Sequence, residues 1–155
     1  MVWVGGLIVS NVTYHGTVSI PQNIIDHSHE IKFENYKVNT PSRFQKRFDD
    51  VDNTEFKQSV TGIMGIDINA LDYVYFSVCE GAEPHTDDLD PKKFSDNTFI
   101  IPVLLPDGKS TITVGGESIE VHEGGVYEFN HTIVHSMELE DTSSGCVVIM
   151  ASELL

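Results

Sequence analysis

His85-Thr86-Asp87, followed 48 residues after Asp87 by His135, constrains this chain more than any other feature. Residues i and i+2 of a strand point to the same face, and a distant histidine joins them only if the chain folds back on itself as a barrel. Two neutral imidazoles and one carboxylate cap one face of a divalent metal such as iron and leave the opposite coordination positions open. The spacing therefore predicts a rolled sheet with a metal site at one end, with His85, Asp87 and His135 as ligands.

The rest of the C-terminal half has the texture such a barrel needs. Asn97 to Leu105 is a bulky apolar run that ends in the turn signal Pro106-Asp107-Gly108. Lys109 to Val114 and Glu117 to Val121 alternate apolar with polar residues around Gly115-Gly116, the pattern of a two-residue hairpin. Val126 to Phe129 and Gly145 to Met150 add two more strands, and Tyr73 to Cys79 reads as the strand that leads to His85. Short strands joined by turns imply an antiparallel sandwich or barrel. Upstream, Pro21 to Ile25 reads as the start of a short helix, and Asn53 to Met64 as another with Asn53 as N-cap. The expected fold is mainly β, a double-stranded β-helix (jelly roll, cupin-like) with a few short N-terminal helices. At 155 residues it is expected to be a single domain over residues 1–155, with the β-helix core at about 72–155.

Charge narrows the partners. Nine Lys plus Arg against 24 Asp plus Glu give a net charge of −15, which repels phosphate backbones and anionic bilayers. No nucleic-acid or membrane partner is expected, the local basic group Arg43, Lys46 and Arg47 being the exception to the acidic balance. Cys79 and Cys146 sit in apolar strand-like runs and read as buried free thiols, consistent with a reducing, cytoplasmic location. No apolar run reaches the roughly 20 residues that span a bilayer.

His135 is preferred over His131 as the third ligand: His131 follows its strand directly and, with Asn130, reads as a partner of the site behind the ligands or as a solvent-exposed turn residue, whereas His135 opens the next extended run, where an inward side chain is easier to place. His27-Ser28-His29 is a rival ligand pair, since on a strand it would present two imidazoles to one face, with Glu34 following. A bland alternative is a non-catalytic β-sandwich interaction module whose histidines are incidental.

From about Tyr73 to Leu155 the chain resembles the 2-oxoglutarate and Fe(II)-dependent oxygenase superfamily, nearest to its aspartyl/asparaginyl β-hydroxylase-like branch. The resemblance rests on Gly81-x-x-x-His85-x-Asp87, on Leu104 to Lys109 with Val114 to Glu117, and on Glu123 to His135. It implies Fe(II) on His85, Asp87 and His135. It also implies a dioxygenase, an oxidoreductase that couples decarboxylation of 2-oxoglutarate to hydroxylation of a C–H bond. In the family a basic residue about ten positions beyond the last histidine pairs with the far carboxylate of 2-oxoglutarate. Here that position is Gly145, no Lys or Arg follows Lys109, and a second family arginine aligns near Thr98. Tyr73 and Tyr75 offer hydroxyl contacts to a co-substrate; the charge must come from Lys109, Arg43 or Arg47, or the bound acid differs, or catalysis has been lost. A cupin-like metal domain without 2-oxoglutarate chemistry is the other reading.

Overall fold

The computed structural model describes residues 2–4, 7–37, 43–48, 51–142 and 145–155; the side chains of residues 2–9, 35–37, 43–47, 73–75 and 79 lie outside that description. Strands β1 (Val2–Val4) and β2 (Leu7–Val9) pair with each other, and β3 (Val12–Thr17) follows. Helix α1 (Gln22–Lys37), β4 (Arg43–Arg47) and α2 (Thr54–Met64) complete the N-terminal part. The remainder is β: β5 (Leu71–Cys79), β6 (Ala82–His85), β7 (Phe94–Leu104), β8 (Ser110–Val114), β9 (Glu117–Val121), β10 (Gly125–Asn130), β11 (His135–Leu139) and β12 (Cys146–Leu154). A six-stranded sheet of order β3-β10-β7-β12-β5-β4 faces a four-stranded sheet of order β6-β11-β8-β9, both antiparallel. This is the jelly-roll, double-stranded β-helix arrangement that the strand spacing predicts. The larger sheet also recruits β3 and β4 from before residue 72.

The six-stranded sheet is covered on both faces, which is why its central strands read as unbroken apolar runs instead of alternating ones. Phe99, Ile101 and Val103 of β7 and Val147, Ile149 and Ala151 of β12 face the helices, packing with Ile24, Ile31, Phe56 and Val60. Ile100 and Val148, one residue out of step, join Phe129 of β10 in facing Ile112, Val114 and Met137 of the smaller sheet. Two cores thus share one sheet, and the second is the interior of the β-helix.

Helix α1 is longer than the short element the sequence implies: Ile24, Ser28 and Ile31, spaced by four and three, form its buried stripe. His27 and His29 therefore sit on a helix, where i and i+2 diverge by about 200°, and the strand-based ligand pair is not formed. His27 packs edge-on against Phe76, its ring centroid 5.3 Å away. Asn53 precedes α2 as expected, but its amide reaches the Phe48 carbonyl at 3.2 Å and makes no cap; Asp52 accepts the Thr54 amide instead at 3.3 Å. Gly115-Gly116 closes the β8–β9 hairpin with Val114 opposite Glu117, both glycines at positive φ (57° and 83°) as a primed two-residue turn requires.

Candidate metal centre

Strand pairing, more than the pleat of one strand, assembles the site. His85 closes β6 and His135 opens β11, and the two are direct partners in the β6–β11 ladder, with Val114 opposite His135 on the other side. Direct cross-strand partners present side chains to the same face, and the two rings lie 4.4 Å apart. Asp87 falls just beyond the end of β6, so the i, i+2 strand geometry expected for His85 and Asp87 is replaced by a tether: the Asp87 amide donates to the His131 carbonyl at 3.1 Å. The turn carrying His131 is itself built by Asn130, whose side-chain oxygen accepts from the Thr132 amide at 2.9 Å and the Thr132 hydroxyl at 2.6 Å.

Both imidazoles are held in one tautomer. His85 Nδ1 donates to the Glu83 carbonyl at 2.6 Å and His135 Nδ1 to the Ile133 carbonyl at 2.8 Å. Since a carbonyl only accepts, each Nδ1 carries a proton, and in the neutral ring each Nε2 therefore keeps its lone pair. The two Nε2 atoms approach opposite oxygens of the Asp87 carboxylate, 3.4 Å each. That is long for a charge-assisted hydrogen bond, yet it matches neighbouring ligands around one ion: bonds of about 2.1 Å give ligand–ligand edges of about 3.0 to 3.4 Å. All three ligand atoms lie within 4.8 Å of one another. Nδ1 hydrogen bonds to backbone carbonyls are also the usual outer support of metal-bound histidine, so the donor set fits a divalent transition ion.

The electrostatics agree. Burial pushes Asp87 up, but its contact with His135 and the attraction of His135, His85 and His131 hold it below the usual carboxylate range. Burial likewise pulls His135 down, and the Asp87 contact, the Ile133 carbonyl and the Asp87 charge more than reverse it, leaving its pKa raised.

The triad stands at the mouth of a cavity of about 50 Å³ between the two sheets. Ile100, Phe129, Val148 and Met150 line it from one sheet and Ala82, Ile112, Val114 and Met137 from the other, with Ser77 and Ser136 the hydroxyl-bearing members. Phe129 packs on the His135 ring, 4.7 Å between centroids. No Lys or Arg is among the described lining residues.

The other expected contacts divide. His131 is buried behind Asp87: its Nε2 donates to the Ser95 carbonyl at 3.1 Å and its Nδ1 has no partner. Thr98, buried on β7 opposite Phe129, likewise has an unpartnered hydroxyl. Lys109 is not brought to the site; it lies exposed before β8, at the opposite end of that strand from Val114. The Tyr73 and Tyr75 side chains, and those of Arg43 and Arg47, lie outside the described residues, although the β4–β5 register sets Arg47 opposite Tyr75 and Gln45 opposite the cavity residue Ser77. The apolar lining was the part that reading for ligands missed, because the unbroken runs of β7 and β12 do not show which side chains face inward.

A cupin-like double-stranded β-helix with a His-Asp-His group able to hold a metal is thus the class that the fold and site define. No protein-family model and no curated protein matches the chain. Among solved structures, it is similar to AviO1 from Streptomyces viridochromogenes Tue57, with a TM-score of 0.55 at 9% identity over 92% of this chain and 89% of that one. A variant of salicylate 1,2-dioxygenase from Pseudoaminobacter salicylatoxidans in complex with gentisate aligns with a TM-score of 0.49 at 11% identity over 86% of this chain. This chain spans only 33% of that enzyme's length. The likeness to AviO1 establishes the fold alone. Among the described residues no helix is long and apolar enough to cross a membrane.

Proposed function

We propose that this protein is a mononuclear Fe(II)-dependent oxygenase of the hydroxylase type, with His85, Asp87 and His135 as its metal ligands and a 2-oxo acid as co-substrate. The observation that carries the reading is the pair of imidazoles locked as Nδ1–H tautomers, with both Nε2 lone pairs turned toward one carboxylate at the mouth of an apolar cavity. Iron in such a site supplies the redox chemistry that activates oxygen. The chain supplies the rest. Glu83 and Ile133 carbonyls fix the rings, the His131 carbonyl and Asn130 turn fix Asp87, and Phe129 shields the inner side of His135. The apolar walls would limit water at a metal held by these three residues.

The test is anaerobic titration with Fe(II), followed by oxygen uptake measured with and without a 2-oxo acid. Stoichiometric iron binding with oxygen uptake tied to release of carbon dioxide is expected. The apolar lining of the described cavity favours one second reading, a cupin-like metal domain that takes no oxo acid. In that case iron binds and oxygen uptake is indifferent to every oxo acid.

A further inference from the structure

We infer that the oxo acid this site accepts has a short apolar tail and a single carboxylate, and that 2-oxoglutarate is a poor ligand; this rests on the metal-site reading above. Charge is the first argument. A divalent ion held by the Asp87 carboxylate and two neutral imidazoles leaves one formal positive charge at the centre, and the carboxylate of a chelating 2-oxo acid cancels it. The second carboxylate of 2-oxoglutarate would have to enter the cavity with no cation among the described lining residues to balance it. The described walls answer with Ile100, Ile112, Val114, Phe129, Val148 and Met150. The position where a cation aligns by resemblance is Thr98, whose buried hydroxyl carries no charge. The chain as a whole carries −15, which further opposes a dianion.

Size is the second argument. A cavity of about 50 Å³ holds on the order of four waters, which suits a tail of two or three carbons once the oxo and carboxylate oxygens occupy the metal. Ser77, on the wall formed by the larger sheet, offers one hydroxyl and no charge.

The experiment uses the full chain loaded with Mn(II), which does not turn over, and measures binding of pyruvate, 2-oxobutanoate, 3-methyl-2-oxobutanoate and 2-oxoglutarate by calorimetry. Affinity should rise from pyruvate to 3-methyl-2-oxobutanoate, with 2-oxoglutarate at least tenfold weaker than the last. Met150→Lys, at a half-buried lining position, should narrow or reverse that preference. Equal or tighter binding of 2-oxoglutarate by the wild type overturns the inference. Loss of such binding in Arg43→Ala or Arg47→Ala would then place the cation on β4. Absence of Mn(II) binding overturns the metal reading itself, and this inference with it, whereas Mn(II) binding with the opposite ligand order overturns only the inference.

Discussion

A divalent transition metal added at about a hundred times its Kd should raise the unfolding midpoint of the wild-type protein by about 5–11 °C. Binding to the native state alone contributes about 2.7 kcal/mol at that ratio, and each kcal/mol moves the midpoint of a chain of this length by about 2–4 °C. His135→Ala should abolish the shift, because it removes a proposed ligand that is 6% exposed, has Phe129 against its ring and pairs with His85 in the β6–β11 ladder. The variant's own baseline will fall as well, since it loses a buried ring, so the quantity to compare is the metal-induced shift and not the absolute midpoint. His131→Ala is the control. It deletes a ring outside the proposed ligand set but keeps the main-chain carbonyl that tethers Asp87, so the shift should persist with affinity reduced by about 10–100-fold, the usual cost of losing outer support. Scanning fluorimetry with Mn(II) or Co(II) over a range of concentrations reads both quantities. A shift that survives His135→Ala and disappears in His131→Ala would refute the ligand assignment, and a wild type indifferent to every divalent metal would refute the centre.

Proton competition gives the second prediction. His135 must be neutral to bind metal and its pKa is raised above the ordinary value, so metal affinity should fall by up to about tenfold per pH unit below that raised pKa. The metal-free protein should behave oppositely: the stability contributed by protonated His135 is complete below its unfolded pKa and is lost as pH rises through the folded one. Asp87's contribution is present above its unfolded pKa and is lost as pH falls through its depressed folded pKa. Midpoints measured against pH with and without metal check the signs. Gly81→Ala should cost about 1–3 kcal/mol, because φ is +116° there and an added Cβ would sit 2.8 Å from the Met137 carbonyl oxygen. Because Gly81 leads into β6, calorimetry should also show weakened metal binding, and unchanged affinity would count against the role given to the β6–β11 ladder. Exposure to Fe(II), ascorbate and oxygen should convert Met137 and Met150, both in the cavity wall, to sulfoxide before the other methionines; peptide mass spectrometry reads this, and uniform oxidation would argue against iron at the triad.

Local patterns determined much of this protein by themselves. Alternation around Gly115-Gly116 specifies the β8–β9 hairpin, because only one register puts Ile112 and Val114 on the inner face. The spacing of His85, Asp87 and His135 points to a group that could hold a metal, and the three side chains do converge, their ligand atoms within 4.8 Å of one another. What periodicity does not carry is which surfaces a strand meets on each side. The unbroken run Phe99 to Leu104 fits a buried strand in many folds, and only the packing of α1 and α2 on one face and the smaller sheet on the other divides its side chains between two cores. The fate of His27 was decided the same way: the i, i+2 spacing has ligand meaning only on a strand, and the stripe of Ile24, Ser28 and Ile31 gains more by burying a helix face. Asp87 is the finest case. Its identity is written in the sequence, but its position depends on a hydrogen bond to a residue 44 positions later, a contact that exists only after β10 has folded back beside β7.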